Sequence, residues 1–278
     1  MNMYLCSISF RHELVSFGEL IDYAAAAGFD GIELWGVHGR ALLRSRPQEL
    51  PRMLDDMNAR GLGISMVSDY ADLLAPDDRL PELLQRWEEL LDMAQAFRTR
   101  HIRLFAGSRP SVAADERDWS RCAERLRELA RIAAEQGVSI VIETHPDTLA
   151  DTLQSTLRLL RDTNHSHVRI NLDFLHLWES GTAPLEAYRA LSEWTVNFHV
   201  KNVASPDHVE LFAPVNVFSP SGRRTGMTGL SSGAIDYSAV FDRLCRDGVQ
   251  HPVAIEWFGE QPYQHLRSEL QWAAAWNS

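Results

Sequence analysis

From Val141 to Thr152 the chain reads VIETHPDTLADT: an apolar run delivers a glutamate, then a histidine two positions later, before a proline ends it. Side chains alternate across a strand, so Glu143 and His145 share one face, with Val141 beneath them. A buried carboxylate beside a buried imidazole is costly unless the two are paired or bind a metal. Three later apolar runs also end on polar residues: RINLDF carries Asp173, VNFHVKN carries His199 and VAIEWF carries Glu256. Three carboxylates and one imidazole make a hard, oxygen-rich donor set. It favours Mn²⁺ or Mg²⁺ and, less strongly, Co²⁺ or Zn²⁺. One divalent ion is therefore expected on Glu143, Asp173, His199 and Glu256, with His145 standing beside it.

Of the 27 basic residues, Lys201 is the sole lysine. It follows His199 by two positions and shares its face. A chain that uses arginine almost everywhere has kept one compact, tunable point charge here. Arg103, in HIRLFAG, and Tyr70, in SDY, lie at the ends of two other apolar runs. A cation and a phenol facing a metal suggest a small anionic substrate, its carboxylate bound by Arg103 and Lys201. His176, three residues after Asp173, reads as a second ligand, a partner of a ligand or a satisfied loop histidine. Glu33 and His38 stand in a similar position.

The elements that must position these residues follow one grammar: amphipathic helix, glycine, short apolar strand. Gly28, Gly61, Gly137 and Gly248 occupy helix C-cap positions, and Ser16 with Glu19 has capping-box spacing. Leu83, Leu84, Trp87, Leu90, Leu91 and Ala94 fall on one helical stripe. Eight candidate strands end near Ser9, Trp35, Ser68, Phe105, His145, Asp173, Lys201 and Phe258. With about 35 residues per unit, this is the size of a βα repeat. The expectation is an α/β protein, a (β/α)8 TIM barrel forming one domain over residues 1–278. An open doubly wound sheet is the runner-up, but no G-x-G-x-x-G follows the first strand. A Pro-, Ser- and Gly-rich connection at about 203–235 breaks the rhythm after the seventh strand. Loops of that length serve as lids, binding loops or subunit contacts. In this one, Arg223 and Arg224 would reach the substrate or a second subunit, leaving room for a homo-oligomer.

A net charge of −11 argues against a nucleic-acid partner, which calls for a basic face. No stretch reads as a leader peptide or a membrane span, and the three scattered cysteines suit a reducing compartment. A cytoplasmic protein with no membrane partner is expected.

Taken together, CSISFRHELVSF, GFDGIELWG, SDY, IRLFAG, ETHPDTLADT, INLDFLHLWESG, HVKN, RTGM and EWFG resemble the 3-dehydroshikimate dehydratases. The likeness is to the short, single-domain kind associated with catechol siderophore assembly, within the xylose-isomerase-like barrel superfamily. It implies a Mn²⁺-type site on Glu143, Asp173, His199 and Glu256, with His145 as catalytic base and Tyr70, Arg103 and Lys201 holding the substrate. The implied reaction is enolisation of 3-dehydroshikimate and β-elimination of water to give 3,4-dihydroxybenzoate (protocatechuate), for siderophore synthesis or for quinate and shikimate catabolism. Two other readings use the same residues: a sugar or hydroxy-acid isomerase or epimerase on the same metal site, and a Schiff-base lyase on Lys201.

Overall fold

The computed structural model describes residues 1–276. Counting the barrel strands alone, β1 is Asn2–Cys6, β2 Gly31–Trp35, β3 Gly63–Ser68, β4 His101–Leu104, β5 Ser139–Glu143, β6 Val168–Asp173, β7 Thr195–Val200 and β8 Pro252–Ile255. All pairings are parallel, and β1 closes on β8 to complete the barrel. The single-domain TIM barrel expected from the repeat is the fold found.

Several strands stop one to three residues short of the apolar patterns. After β1 the chain turns into a 3₁₀ segment at Ser7–Phe10. His145, Lys201 and Phe258 likewise lie just beyond the ladder, on backbone free to aim their side chains.

The helices begin and end where local chemistry requires. Ser16 and Glu19 form a reciprocal capping box at the start of Phe17–Ala27, and Gly28 closes that helix at a φ of 94°. Left-handed backbone of this kind strains any residue with a Cβ. On Leu80–Ala96 the expected stripe is buried except for Leu84, which packs partly against the core.

The long connection has its own structure. A 3₁₀ segment at Pro206–Phe212 and a short helix at Pro214–Val217 precede a return strand, Met227–Thr228, which pairs antiparallel with Asn202–Val203. Arg11, from the loop after β1, ties it down by donating to the carbonyls of Val217 at 2.7 Å and Phe258 at 2.8 Å. Arg224 donates to Ser219 O at 2.7 Å and Arg223 pairs with Glu210. Both arginines therefore brace the loop instead of entering the barrel mouth. Among the described residues no helix is long and apolar enough to cross a membrane.

Buried Asn202 is the loop's fixed point. Its amide donates to Leu230 O at 3.1 Å and Ile235 O at 2.9 Å, and its carbonyl accepts from the backbone N–H of Val203 and Ile235. Gly233 passes so close that a Cβ there would overlap this amide. Asn202→Ala leaves several buried backbone groups unpaired and should lower unfolding free energy by about 3 kcal/mol in a urea titration. A loss below about 0.5 kcal/mol would show that the anchor is dispensable.

Candidate active site

Parallel register fixes where the polar strand ends arrive. Glu143 pairs with Asn171, Asp173 with His199, and His199 with Ala254, two residues before Glu256. Moving from Glu143 to Glu256, the series climbs along the strands by about one residue per strand. Strand tilt in such a barrel produces the same climb, so the four side chains stand near one height around the rim.

Local bonds then aim each group. Asp173 caps the helix Phe174–Glu179: its Oδ1 accepts from Leu175 N–H at 2.9 Å and His176 N–H at 3.1 Å. This leaves Oδ2 pointing into the mouth. His199 presents Nδ1 there, 3.4 Å from Glu143 Oε1 and 3.7 Å from Asp173 Oδ2. One ligand atom from each of Glu143, Asp173 and His199 lies within 4.8 Å of the others. Among the described residues, buried His199 Nδ1 has no hydrogen-bond partner, while Glu143 Oε2 and Asp173 Oδ2 meet the ion-pair nitrogens of Arg103 at 2.9 Å and Lys201 at 2.7 Å. Buried donors from three strands that converge on one point could hold a cation.

The charges agree. Glu33, Glu143, Asp173 and Glu256 are all buried at this end of the barrel, against two buried cations, Arg103 and Lys201. With His199 neutral, as an ion's ligand must be, two negative charges remain unmatched, and a divalent ion would balance them. His199 reflects the same excess. Burial opposes its charged form, but the carboxylates of Glu33 and Glu143 outweigh this and pull its pKa well above the usual histidine range. A second group that could hold an ion, Cys6 with Glu33 and His199, is less suited to one. There Glu33 Oε2 and His199 Nε2 already face each other at 2.8 Å, and burial raises the Cys6 thiol pKa.

Three of the four expected ligands thus converge, and the fourth is held one step away. Glu256 Oε2 lies 2.5 Å from Lys201 Nζ, which also approaches Asp173 Oδ2 at 2.7 Å. Burial disfavours the ammonium, but Asp173 and Glu256 outweigh it and raise its pKa. The rings of Phe212 and Phe258 flank Nζ at 5.7 and 5.6 Å.

Opposite stands Arg103, its Nε 2.9 Å from Glu143 Oε2 and its guanidinium over the rings of Phe105 at 4.7 Å and Tyr70 at 5.2 Å. Tyr70 remains 37% exposed and covers this cation from the solvent side. Asp69, which sequence reasoning passed over, fixes the wall. It is buried between Arg40 and Arg86, and its Oδ1 accepts from Tyr70 N–H at 2.7 Å.

His145 closes the ring. Nδ1 lies 2.7 Å from Pro146 O, and because a carbonyl only accepts, Nδ1 carries the hydrogen and Nε2 the lone pair. Burial pushes its pKa down to about 3, so the ring is neutral. It packs against Phe105 at 4.3 Å and His176 at 4.5 Å. His176 is itself buried and donates Nδ1–H to Glu179 Oε1 at 2.6 Å. Tyr70, Arg103, Glu143, His145, Lys201 and Glu256 all line one cavity of about 200 Å³, roofed by Phe212, Pro214, Val217 and Phe218 from the long connection. His265 is partly buried and stacked on Trp257 at 3.4 Å.

Residues 21–276 match the family described as xylose isomerase-like TIM barrel. The chain is 37% identical over 271 residues to a 3-dehydroshikimate dehydratase of Bacillus anthracis, covering 98% of this chain and 96% of that one. The crystal structure of the probable 3-DHS dehydratase AsbF, involved in petrobactin synthesis in the same organism, superposes with a TM-score of 0.94 at 38% identity, covering 98% of each chain. An inosose dehydratase of Glaesserella parasuis is 23% identical over 82% of this chain and 78% of its own.

Metal-free protein titrated with Mn²⁺ should take up one ion per chain. At 100 times the dissociation constant its unfolding free energy should rise by about 2.7 kcal/mol. Asp173→Asn keeps the helix cap but loses the charge, and should abolish most of that rise. A full rise in the variant would place the ion elsewhere.

Proposed function

Because the chain belongs to the xylose isomerase-like TIM barrel family and, within it, to the 3-dehydroshikimate dehydratases, we propose that it converts 3-dehydroshikimate to 3,4-dihydroxybenzoate and water at the barrel mouth, with the catechol acid feeding siderophore assembly. The observation that carries the activity is the 37% identity sustained over 98% of the chain to an enzyme of that name. The cavity supports it, with room for one small ring and with charges of both signs on its wall.

The chemistry balances as follows. A proton leaves the ring carbon that bears the hydroxyl next to the ketone. The C–O bond to the hydroxyl one carbon further breaks, and that oxygen departs as water. Loss of one more ring proton, with a proton returned to the ketone oxygen, completes the aromatic ring.

Glu143, Asp173, His199 and Glu256 are the residues that would hold a divalent metal ion, and such an ion supplies electrostatic stabilisation for the charge developing on the ketone oxygen. His145 Nε2 is the base. It is neutral, its tautomer is fixed by Pro146 O, and it faces the cavity from beside Glu143. The proton it takes is available for the departing hydroxyl. Arg103 and Lys201 supply positive charge for the substrate carboxylate, with Tyr70 closing over Arg103. The roof of Phe212, Val217 and Phe218 keeps water from the carbanion-like intermediate.

The rivals fit less well. A Schiff base needs a neutral amine, whereas Lys201 is held as an ammonium by two carboxylates. An isomerase of neutral polyols has no use for Arg103 in the wall.

Purified protein with Mn²⁺ and 3-dehydroshikimate should generate the ultraviolet absorbance of the catechol acid, and chelator should stop it. His145→Ala should still bind Mn²⁺ while kcat falls by about 10²–10⁴-fold. Turnover near the parent rate in that variant rules out the base assignment. Lys201→Arg places a planar fork between two carboxylates and two rings, and should lower kcat/KM by about tenfold or more. An unchanged value would mean that any cation suffices there.

A further inference from the structure

Glu33 lies on the opposite side of the barrel from the strands that carry the candidate cation site. It stands in mid-strand between Ile32 and Leu34 and is 2% exposed. Each of its oxygens is committed. Oε2 lies 2.8 Å from His199 Nε2 and 3.3 Å from the Asn197 amide, and Oε1 accepts from Ser68 Oγ at 2.5 Å. Asn197 is locked in turn, donating to Asn171 Oδ1 at 2.9 Å. Glu33 is thus a carboxylate braced by Ser68 of β3 and Asn197 of β7, with Oε2 also facing His199.

We propose that Glu33 is a positioning residue for the divalent-ion site, acting through His199. This rests on the reading of Glu143, Asp173 and His199 as ligands. Imidazole offers an ion a lone pair only on a nitrogen without hydrogen. A carboxylate facing Nε2 at hydrogen-bond distance keeps the hydrogen on Nε2, so the lone pair falls on Nδ1, the atom aimed at Glu143 and Asp173. The same bond fixes the ring's rotation and, through the carboxylate's charge, makes Nδ1 a stronger donor. Ser68 and Asn197 keep Glu33 from turning away. The arrangement spans the barrel, so β2 and β3 contribute to an ion held by β5 to β8.

The test is direct Mn²⁺ binding to metal-free protein, followed by electron paramagnetic resonance of the free ion, with thermal melting recorded in parallel. Glu33→Gln preserves volume and can still accept from Nε2, but it loses the charge. Its Mn²⁺ dissociation constant should rise by about 10- to 100-fold, while KM for substrate at saturating Mn²⁺ stays within about twofold of the parent. Ser68→Ala, which leaves the contact but removes one brace, should weaken Mn²⁺ binding by a smaller, several-fold factor. It also serves as the test if Glu33→Gln does not fold. A variant that melts lower but binds Mn²⁺ as tightly as the parent overturns the proposal, because a purely structural glutamate would behave so. A parent protein that binds no Mn²⁺ would instead defeat the ligand reading itself.

Discussion

Burying four carboxylates at one end of a barrel is the constraint on which the rest of this structure depends. Glu33, Glu143, Asp173 and Glu256 are withdrawn from water together, where uncompensated charge is expensive. Two permanent cations, Arg103 and Lys201, meet part of that demand and leave a deficit of two. A divalent ion bound among them would relieve a cost the protein already bears. The strained electrostatics at the mouth are therefore the counterpart of the apolar packing elsewhere, where the core runs through residues such as Trp87, Phe97 and Phe241 without charge.

Within that constraint the choice of lysine over arginine becomes intelligible. Nζ must reach Asp173 and Glu256 at once while the rings of Phe212 and Phe258 press from either side. A tetrahedral point charge can be shared between two carboxylates in so narrow a slot, whereas a planar fork needs width. Arg103 has the complementary task. Its flat guanidinium lies over Phe105 and Tyr70 while its edge meets Glu143, a geometry that suits a plane and not a point.

What could be read from the sequence was whatever repeats or terminates a strand. Periodicity and C-cap glycines revealed the barrel, and polar residues ending apolar runs pointed to Glu143, Asp173, His199 and Glu256. Relationships made through space across the barrel were not visible in this way. Glu33 did carry a signal, a carboxylate between isoleucine and leucine in mid-strand, but its partner lies 166 positions away on β7. Asp69 carried no signal of its own, because Arg40 and Arg86 close on it from two helices only in the folded chain. The long connection was recognisable by composition, and Arg223 and Arg224, which the sequence offered to the substrate or to a second subunit, hold Glu210 and backbone within the loop. Arginine in a loop satisfies carbonyls as readily as it binds ligands.

The mouth divides into two halves with different tasks. The strands from β5 onward gather Glu143, Asp173 and His199, donors that could hold a cation. On the β3 and β4 side, Asp69, Tyr70, Arg103 and Phe105 build a wall suited to an anion on a flat ring. His145 sits at the seam between them, its ring against Phe105 and two residues beyond Glu143. The halves are not independent, because the Nε of Arg103 meets Glu143 Oε2 at 2.9 Å. An anion that draws Arg103 toward the cavity must loosen its hold on Glu143 and free that oxygen for a cation. Conversely, a cation on Glu143 weakens its grip on Arg103. Charge placed on one side of that shared contact would therefore be felt on the other.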